Sequence, residues 1–210
     1  MDASTHMLFL KALWVGLSIA APVGPIGLLT IQRTLDQGVS VGLATGLGAA
    51  LADACYGALG AFGSRLVIQT LVGARLGLAL AGGAVLLWMA WQLWRSVPAE
   101  RAAALPSSRQ LWRSFGSTFV LTLSNPATIF SFIAIFGALA AGAVGPSEQI
   151  SPWPMIVGVF CGSALWWLCL CTLVARLRHS FSLTLRRSIN RVSAGMLAGF
   201  ALWQWAGLLG

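Results

Sequence analysis

One acid sits where an acid is costly. Asp53 lies deep inside the apolar run that contains Gly46-Leu-Gly-Ala-Ala-Leu-Ala-Asp53. A carboxylate at the centre of a membrane helix costs roughly 2.5–3.5 kcal/mol on insertion scales. A group retained at that cost suits a cation ligand or a carrier of protons. The structural alternative is an acid tied to a neighbouring helix, through freed backbone donors or through Gln32. The other acids, Asp2, Asp36, Glu100 and Glu148, fall at a terminus or in the gaps between apolar runs.

Two helix breaks accompany that acid. The first apolar run contains Ala21-Pro22-Val23-Gly24-Pro25, and the fourth contains Ser124-Asn125-Pro126. Pro22, Pro25 and Pro126 have no N–H to give to the carbonyls of Ser18, Ala21 and Thr122, and Gly24 adds backbone freedom. Each helix should therefore kink or break near its middle. Half-helix N-termini after Pro25 and Pro126 would offer free N–H groups to a carboxylate. Asp53 would offer a negative partner to an ammonium group or a proton, and Asn125 can both donate and accept. Pro22, Gly24, Pro25, Asp53, Asn125 and Pro126 together suit a zwitterion such as an amino acid.

The elements that must position these residues follow from composition. The 210 residues are 58% hydrophobic and 9% charged, against about 25% charged in a soluble domain. Such a chain has too little polar surface for water and is read as an integral membrane protein. Six apolar segments, at roughly 8–31, 38–63, 71–94, 114–143, 153–175 and 189–209, are each long enough to span a bilayer. In lipid they must be helices, because each backbone polar group needs an internal partner. They do not alternate as barrel strands would. No cleavable signal peptide is evident.

The breaks recur at matching places. Lys11 precedes Pro22 by 11 residues and Arg113 precedes Asn125 by 12. The chain divides into a three-helix repeat over 1–95, a linker over 96–113 and a second three-helix repeat over 114–210. Three spans per repeat invert the second relative to the first. The expected fold is all-α, six transmembrane helices in two inverted repeats, with helices 1 and 4 broken at proline.

Charge sets the orientation. Of 13 basic residues, the first, third and fifth gaps hold Arg33, the group Arg95 to Arg113, and the group Arg176 to Arg191. Lys11, Arg65 and Arg75 fall on the other side. The positive-inside rule puts the odd gaps in the cytoplasm and both termini in the periplasm. Trp88, Trp91, Trp94 and Trp112 flank the third gap and suit an interfacial belt, whereas Trp166, Trp167, Trp203 and Trp205 read as lipid-facing or packed. Gly42/Gly46, Gly73/Gly77, Gly158/Gly162 and Gly195/Gly199 are small-xxx-small pairs that let helices approach. They pack within the bundle or between subunits, so a homo-oligomer stays open.

Rival functions lack their residues. The net charge of +8 comes without the basic-aromatic interleaving of a nucleic-acid surface. A divalent metal exporter on the same scaffold would want more than one intramembrane carboxylate, and His6 and His179 lie near helix ends. Cys55, Cys161, Cys169 and Cys171 sit in apolar runs, none in a broken helix, which disfavours a thiol-redox carrier. A scaffold without transport gains nothing from a buried acid. No phosphate loop, metal cluster or nucleophile–His–acid set appears, so neither an enzyme nor a cofactor is expected.

These residues carry a resemblance. Pro22-Val-Gly-Pro-Ile-Gly27, then Arg33-Thr-Leu-Asp-Gln-Gly38, then Gly42-Leu-Ala-Thr-Gly46 through Ala52-Asp53, resemble the LysE/RhtB family of amino-acid exporters. Ser124-Asn125-Pro126 before an aromatic-rich run resembles that family's second-half signature. The resemblance covers nearly the whole chain. It implies export of amino acids or related metabolites across the bacterial inner membrane, driven by the proton gradient, with Pro22, Gly24, Pro25, Asp53, Asn125 and Pro126 at the central site. The stretch 139–153 departs from the family by lacking its common Pro-Gln-Phe-like ending.

Overall fold

A computed structural model describes residues 3–22, 24–61, 75–96, 106–125, 128, 131–132, 152–178 and 182–206. Among these residues every regular element is a helix: α1 (Ala3–Ala20), α2 (Pro25–Gln37), α3 (Val39–Ala61), α4 (Arg75–Arg95), α5 (Ser108–Leu123), α6 (Trp153–Leu177) and α7 (Leu183–Ala206). Pro126, half of the linker (97–105), both chain ends and the fourth apolar segment beyond 132 lie outside the described residues.

The first expected span is two helices. α1 stops at Ala20 ahead of Pro22, and α2 starts on Pro25, where a missing N–H costs nothing. The two axes differ by 79°. Between them Gly24 N–H turns back to the Pro22 carbonyl at 2.8 Å, and the Gly24 carbonyl takes Leu28 N–H at 3.1 Å to open α2. Gly38 alone separates α2 from α3. Its φ of +96° lies in the region that favours glycine, so the chain reverses into α3 within one residue.

α5 is capped by Ser107, whose side chain accepts from Gln110 N–H. It ends at Leu123, immediately before Ser124-Asn125. The carbonyls left at that end are partly answered by Ser124 N–H on Val120, Asn125 N–H on Thr122, and the Tyr56 hydroxyl of α3 on Leu123. Removing the hydroxyl in Tyr56→Phe strands the Leu123 carbonyl. It should cost about 1–2 kcal/mol, read as a lower unfolding temperature of the purified protein without loss of helix signal.

α3 occupies the centre, packed against α5 and α6 and touching α1 and α2; α1 lies along α6, and α4 along α7. Glycines set the closeness of the crossings. A Cβ at Gly158 would stand 2.7 Å from the Phe9 carbonyl oxygen, and Gly162 abuts the backbone at Leu13 and Leu17. Gly48 of α3 abuts the Phe115 backbone of α5 in the same way. Gly42 and Gly46 make room for Thr34 and Trp167, whereas Gly195 and Gly199 face open space. Of the four glycine pairs expected to mediate packing, two do so inside this bundle. One faces outward, and Gly73 lies outside the described residues.

The radial order is that of a protein in lipid. Thr30, Thr34, Thr45, Thr118, Ser163 and Ser193 are fully buried or nearly so, while Trp112 is 72% exposed, Trp14 65% and Trp203 62%. Water would drive the opposite sorting; an apolar solvent removes that drive. Several buried hydroxyls are satisfied on their own helices, Thr34 by the Thr30 carbonyl at 2.7 Å and Thr45 by that of Val41 at 2.8 Å. Val39–Leu59 and Trp153–Leu177 are long and apolar enough to cross a bilayer, and the bent pair α1–α2 makes a third crossing if taken as one span. The remaining expected segments fall on α4, α5 and α7. Trp88, Trp91, Trp94 and Trp112 are all exposed. The Arg95 guanidinium lies 4.1 Å over Trp91, a cation–π contact.

Candidate functional site

The proline-glycine break, the end of α5 and the middle of α3 converge. Pro22, Gly24, Pro25, Ile26 and Gly27 line a cavity of about 80 Å³ together with Asp53, Thr122, Asn125, Thr128 and Trp167. Five of the six residues singled out in the sequence thus border one space; the sixth, Pro126, lies outside the described residues. α3 delivers Asp53 because its crossings with α5 and α6 hold it at the bundle centre.

Asp53 is 3% exposed. The Ser163 hydroxyl of α6 donates to Asp53 Oδ2 at 2.7 Å, and the Trp167 indole N–H donates to Ser163 Oγ at 3.1 Å. This relay fixes the carboxyl across the α3–α6 crossing. Gln32, considered as its partner from the sequence, is engaged elsewhere: its amide donates to Asp36 Oδ2 at 2.7 Å. Thr122 brings a hydroxyl with no hydrogen-bond partner to the cavity wall. Buried unpaired hydroxyls are uncommon, and this one is available to a water or solute.

Size limits what the cavity holds as it stands. About 80 Å³ is room for a few waters, each filling about 30 Å³ of liquid. An amino acid with a side chain needs the walls to move.

Two readings of charged residues change. Asp36 is not in a gap: it lies on α2, 9% exposed, and accepts from Gln32 and, at 3.2 Å, from Asn190 of α7. Arg33 is not a loop charge. It sits on α2 and reaches across to α3 and α5, where Nη1 donates to Thr45 Oγ1 at 3.0 Å, Thr118 Oγ1 at 3.1 Å and the Ser114 carbonyl at 3.2 Å, and Nη2 to Ser117 Oγ at 3.2 Å. Its position one turn from Thr30 and Gln37, on a polar stripe of α2, was the available signal. Ser163 and Trp167 gave none, since isolated neutral residues in an apolar run look like packing. Trp167, for which the sequence allows either a lipid-facing or a packed position, is packed at 4% exposure.

Among the described residues no three His, Cys, Asp or Glu side chains gather as a metal site would require. The four cysteines are free thiols.

The comparisons with known proteins agree with the residue pattern. The family signature described as LysE type translocator matches residues 17–203. The chain is 30% identical to the uncharacterized membrane protein YahN of Escherichia coli, over 83% of this chain and 78% of that one. It is 30% identical to the chemotactic transduction protein ChpE of Pseudomonas aeruginosa, over 93% and 97%. It is 21% identical to the threonine efflux protein of Escherichia coli, over 93% and 96%. No solved structure matches. A family match over nearly the entire length, on a bundle whose described elements are all helices and which exposes many large apolar side chains, identifies a membrane transporter rather than an enzyme: the chain belongs to the LysE type translocator family.

Proposed function

We propose that this chain is a secondary transporter that exports amino acids or closely related small metabolites across the bacterial inner membrane by alternating access around the Asp53 cavity. The observation that carries the reading is the convergence of a titratable carboxyl, the α1–α2 break and the end of α5 on one space. The threonine efflux protein among the relatives supports the solute class.

The chemistry follows from the lining. Ile26 and Gly27 lie in the first turn of α2, where N–H groups lack intrahelical partners and the helix dipole is positive. That end suits a carboxylate. Asp53 suits an ammonium group or a coupling proton, and Asn125 and Thr122 complete the polar contacts. Pro126 is proposed to end the fourth span's first half as Pro22 and Pro25 end the first.

The packing partners support an inverted repeat. Exchange α1 with α5, α3 with α6, and α4 with α7. The α1–α6 pair then becomes α5–α3, and the pairs α3–α6 and α4–α7 return to themselves, as an internal two-fold requires. The close glycine crossings, Gly162 on the α1 backbone and Gly48 on the α5 backbone, exchange in the same way. We read the chain as repeats 1–95 and 114–210 joined by a cytoplasmic linker over 96–113, with both termini periplasmic by the charge asymmetry.

The test is efflux from intact cells preloaded with a panel of amino acids, with wild-type chain and empty vector at matched cell density. Accelerated loss of one or a few amino acids is the expected result. Loss indistinguishable from vector for every member of the panel would overturn the reading.

A further inference from the structure

A second cavity, about 380 Å³, lies between α2, α4 and α5 and shares no lining residue with the Asp53 cavity. Its volume falls in the range that small-molecule sites occupy. Its wall holds two guanidinium groups, Arg33 and Arg113, among neutral amides and hydroxyls that include Gln32, Gln92, Gln110 and Ser117. Both guanidinium groups line the same wall, and their like charges oppose each other.

Among the described residues, no acidic side chain hydrogen-bonds to Arg33. Its hydrogen bonds go to two threonine hydroxyls, one serine hydroxyl and one carbonyl. Asp36, one turn further along α2, is turned to α7: its Oδ2 takes Gln32 and Asn190 amides, and its Oδ1 has no partner. A half-buried cation facing a second cation is costly unless an anion joins it. The guanidinium is a planar fork that matches a carboxylate, and the surrounding amides and hydroxyls can bond the rest of a small polar molecule.

The geometry points to an anion-binding chamber for the carboxylate of a small organic acid or amino acid, held by Arg33 and Arg113. A lipid phosphate shares the charge. Leu29, Trp88, Met89 and Leu93 share the wall with the polar groups, so the choice rests on the planar guanidinium fork, which matches a carboxylate: the soluble carboxylate is the ligand assigned, and a lipid phosphate is the outcome the test separates from it. The inference needs only the chamber; if the transport reading also holds, the chamber is a waiting site beside the path.

Ligand-detected NMR on the purified full-length protein tests it, with L-lactate, its uncharged analogue lactamide, L-alanine and inorganic phosphate as probes. Lactate and alanine should bind at millimolar concentration, and lactamide about ten-fold more weakly or worse, the effect of losing one charge-assisted hydrogen bond. Arg33→Gln should weaken lactate by a similar factor. Arg113 is solvent-exposed, so Arg113→Gln keeps the test valid if Arg33→Gln does not fold, and it should also weaken lactate. Equal binding of lactate and lactamide, absence of lactate and alanine binding, or undiminished binding in both variants would overturn the chamber. Phosphate bound more tightly than lactate would overturn the carboxylate assignment in favour of a lipid headgroup. Asp53→Asn should leave lactate binding intact. Failed efflux with intact lactate binding therefore removes the exporter reading alone, and the reverse pattern removes the chamber alone.

Discussion

Asp53→Asn should reduce amino-acid efflux to the level of cells carrying empty vector, a loss of about ten-fold or more in initial rate, while the protein stays folded. The asparagine side chain keeps an oxygen where Asp53 Oδ2 accepts from Ser163, so the α3–α6 crossing keeps its hydrogen bond. What it loses is the charge and the ability to take up and release a proton. A carboxyl 3% exposed at the bundle centre earns its insertion cost only if that charge is used. Efflux should be measured at matched membrane expression, with unfolding temperature as the control for folding. Ordinary efflux by a normally folded Asp53→Asn protein would show that the carboxyl serves only the α3–α6 contact, and would return the substrate role to the helix ends alone.

The second large effect is on stability. Gly162→Ala should destabilise the bundle by about 2–3 kcal/mol, the scale of overpacking a close contact. A Cβ there would stand 2.8 Å from both the Leu13 carbonyl carbon and the Leu17 nitrogen. Those atoms are backbone, so no rotamer change relieves the clash and α1 must move away from α6. Gly199→Ala supplies the contrast, because nothing lies within 4 Å of its added methyl. That change should be neutral or slightly stabilising through helix propensity. Thermal unfolding of the purified proteins compares the two directly. Equal unfolding temperatures would mean that α1 and α6 are less tightly apposed than described.

Much of the central cavity was legible from the residues themselves. Proline chemistry is local: Pro22 and Pro25 end and start helices for reasons written in their own rings, and the 79° bend follows where they stand. Asp53 is conspicuous because lipid makes it costly. What the sequence could not show is which neutral side chains meet that acid. Ser163 and Trp167 reach it only through the α3–α6 crossing, which small residues permit without naming a partner. Arg33 and Asp36 were hidden for a different reason. Charge counting assigns a residue to a side of the membrane, but does not say whether its side chain turns into the bundle. α2 extends to Gln37, past the place where hydropathy alone ended the first span, and so carries both residues inward.

α2 also has a property that neither cavity has alone. Its 13 residues make a rod about 20 Å long, bounded by the Pro22–Pro25 break at one end and by Gly38 at the other. Ile26 and Gly27 border the Asp53 cavity, and Leu29, Gln32, Arg33 and Gln37 border the arginine chamber. If α2 moves as one body about those ends, it cannot reshape one space without reshaping the other. Whatever fills either cavity and favours one setting of α2 must change the affinity of the other cavity, and the change is reciprocal by thermodynamic necessity.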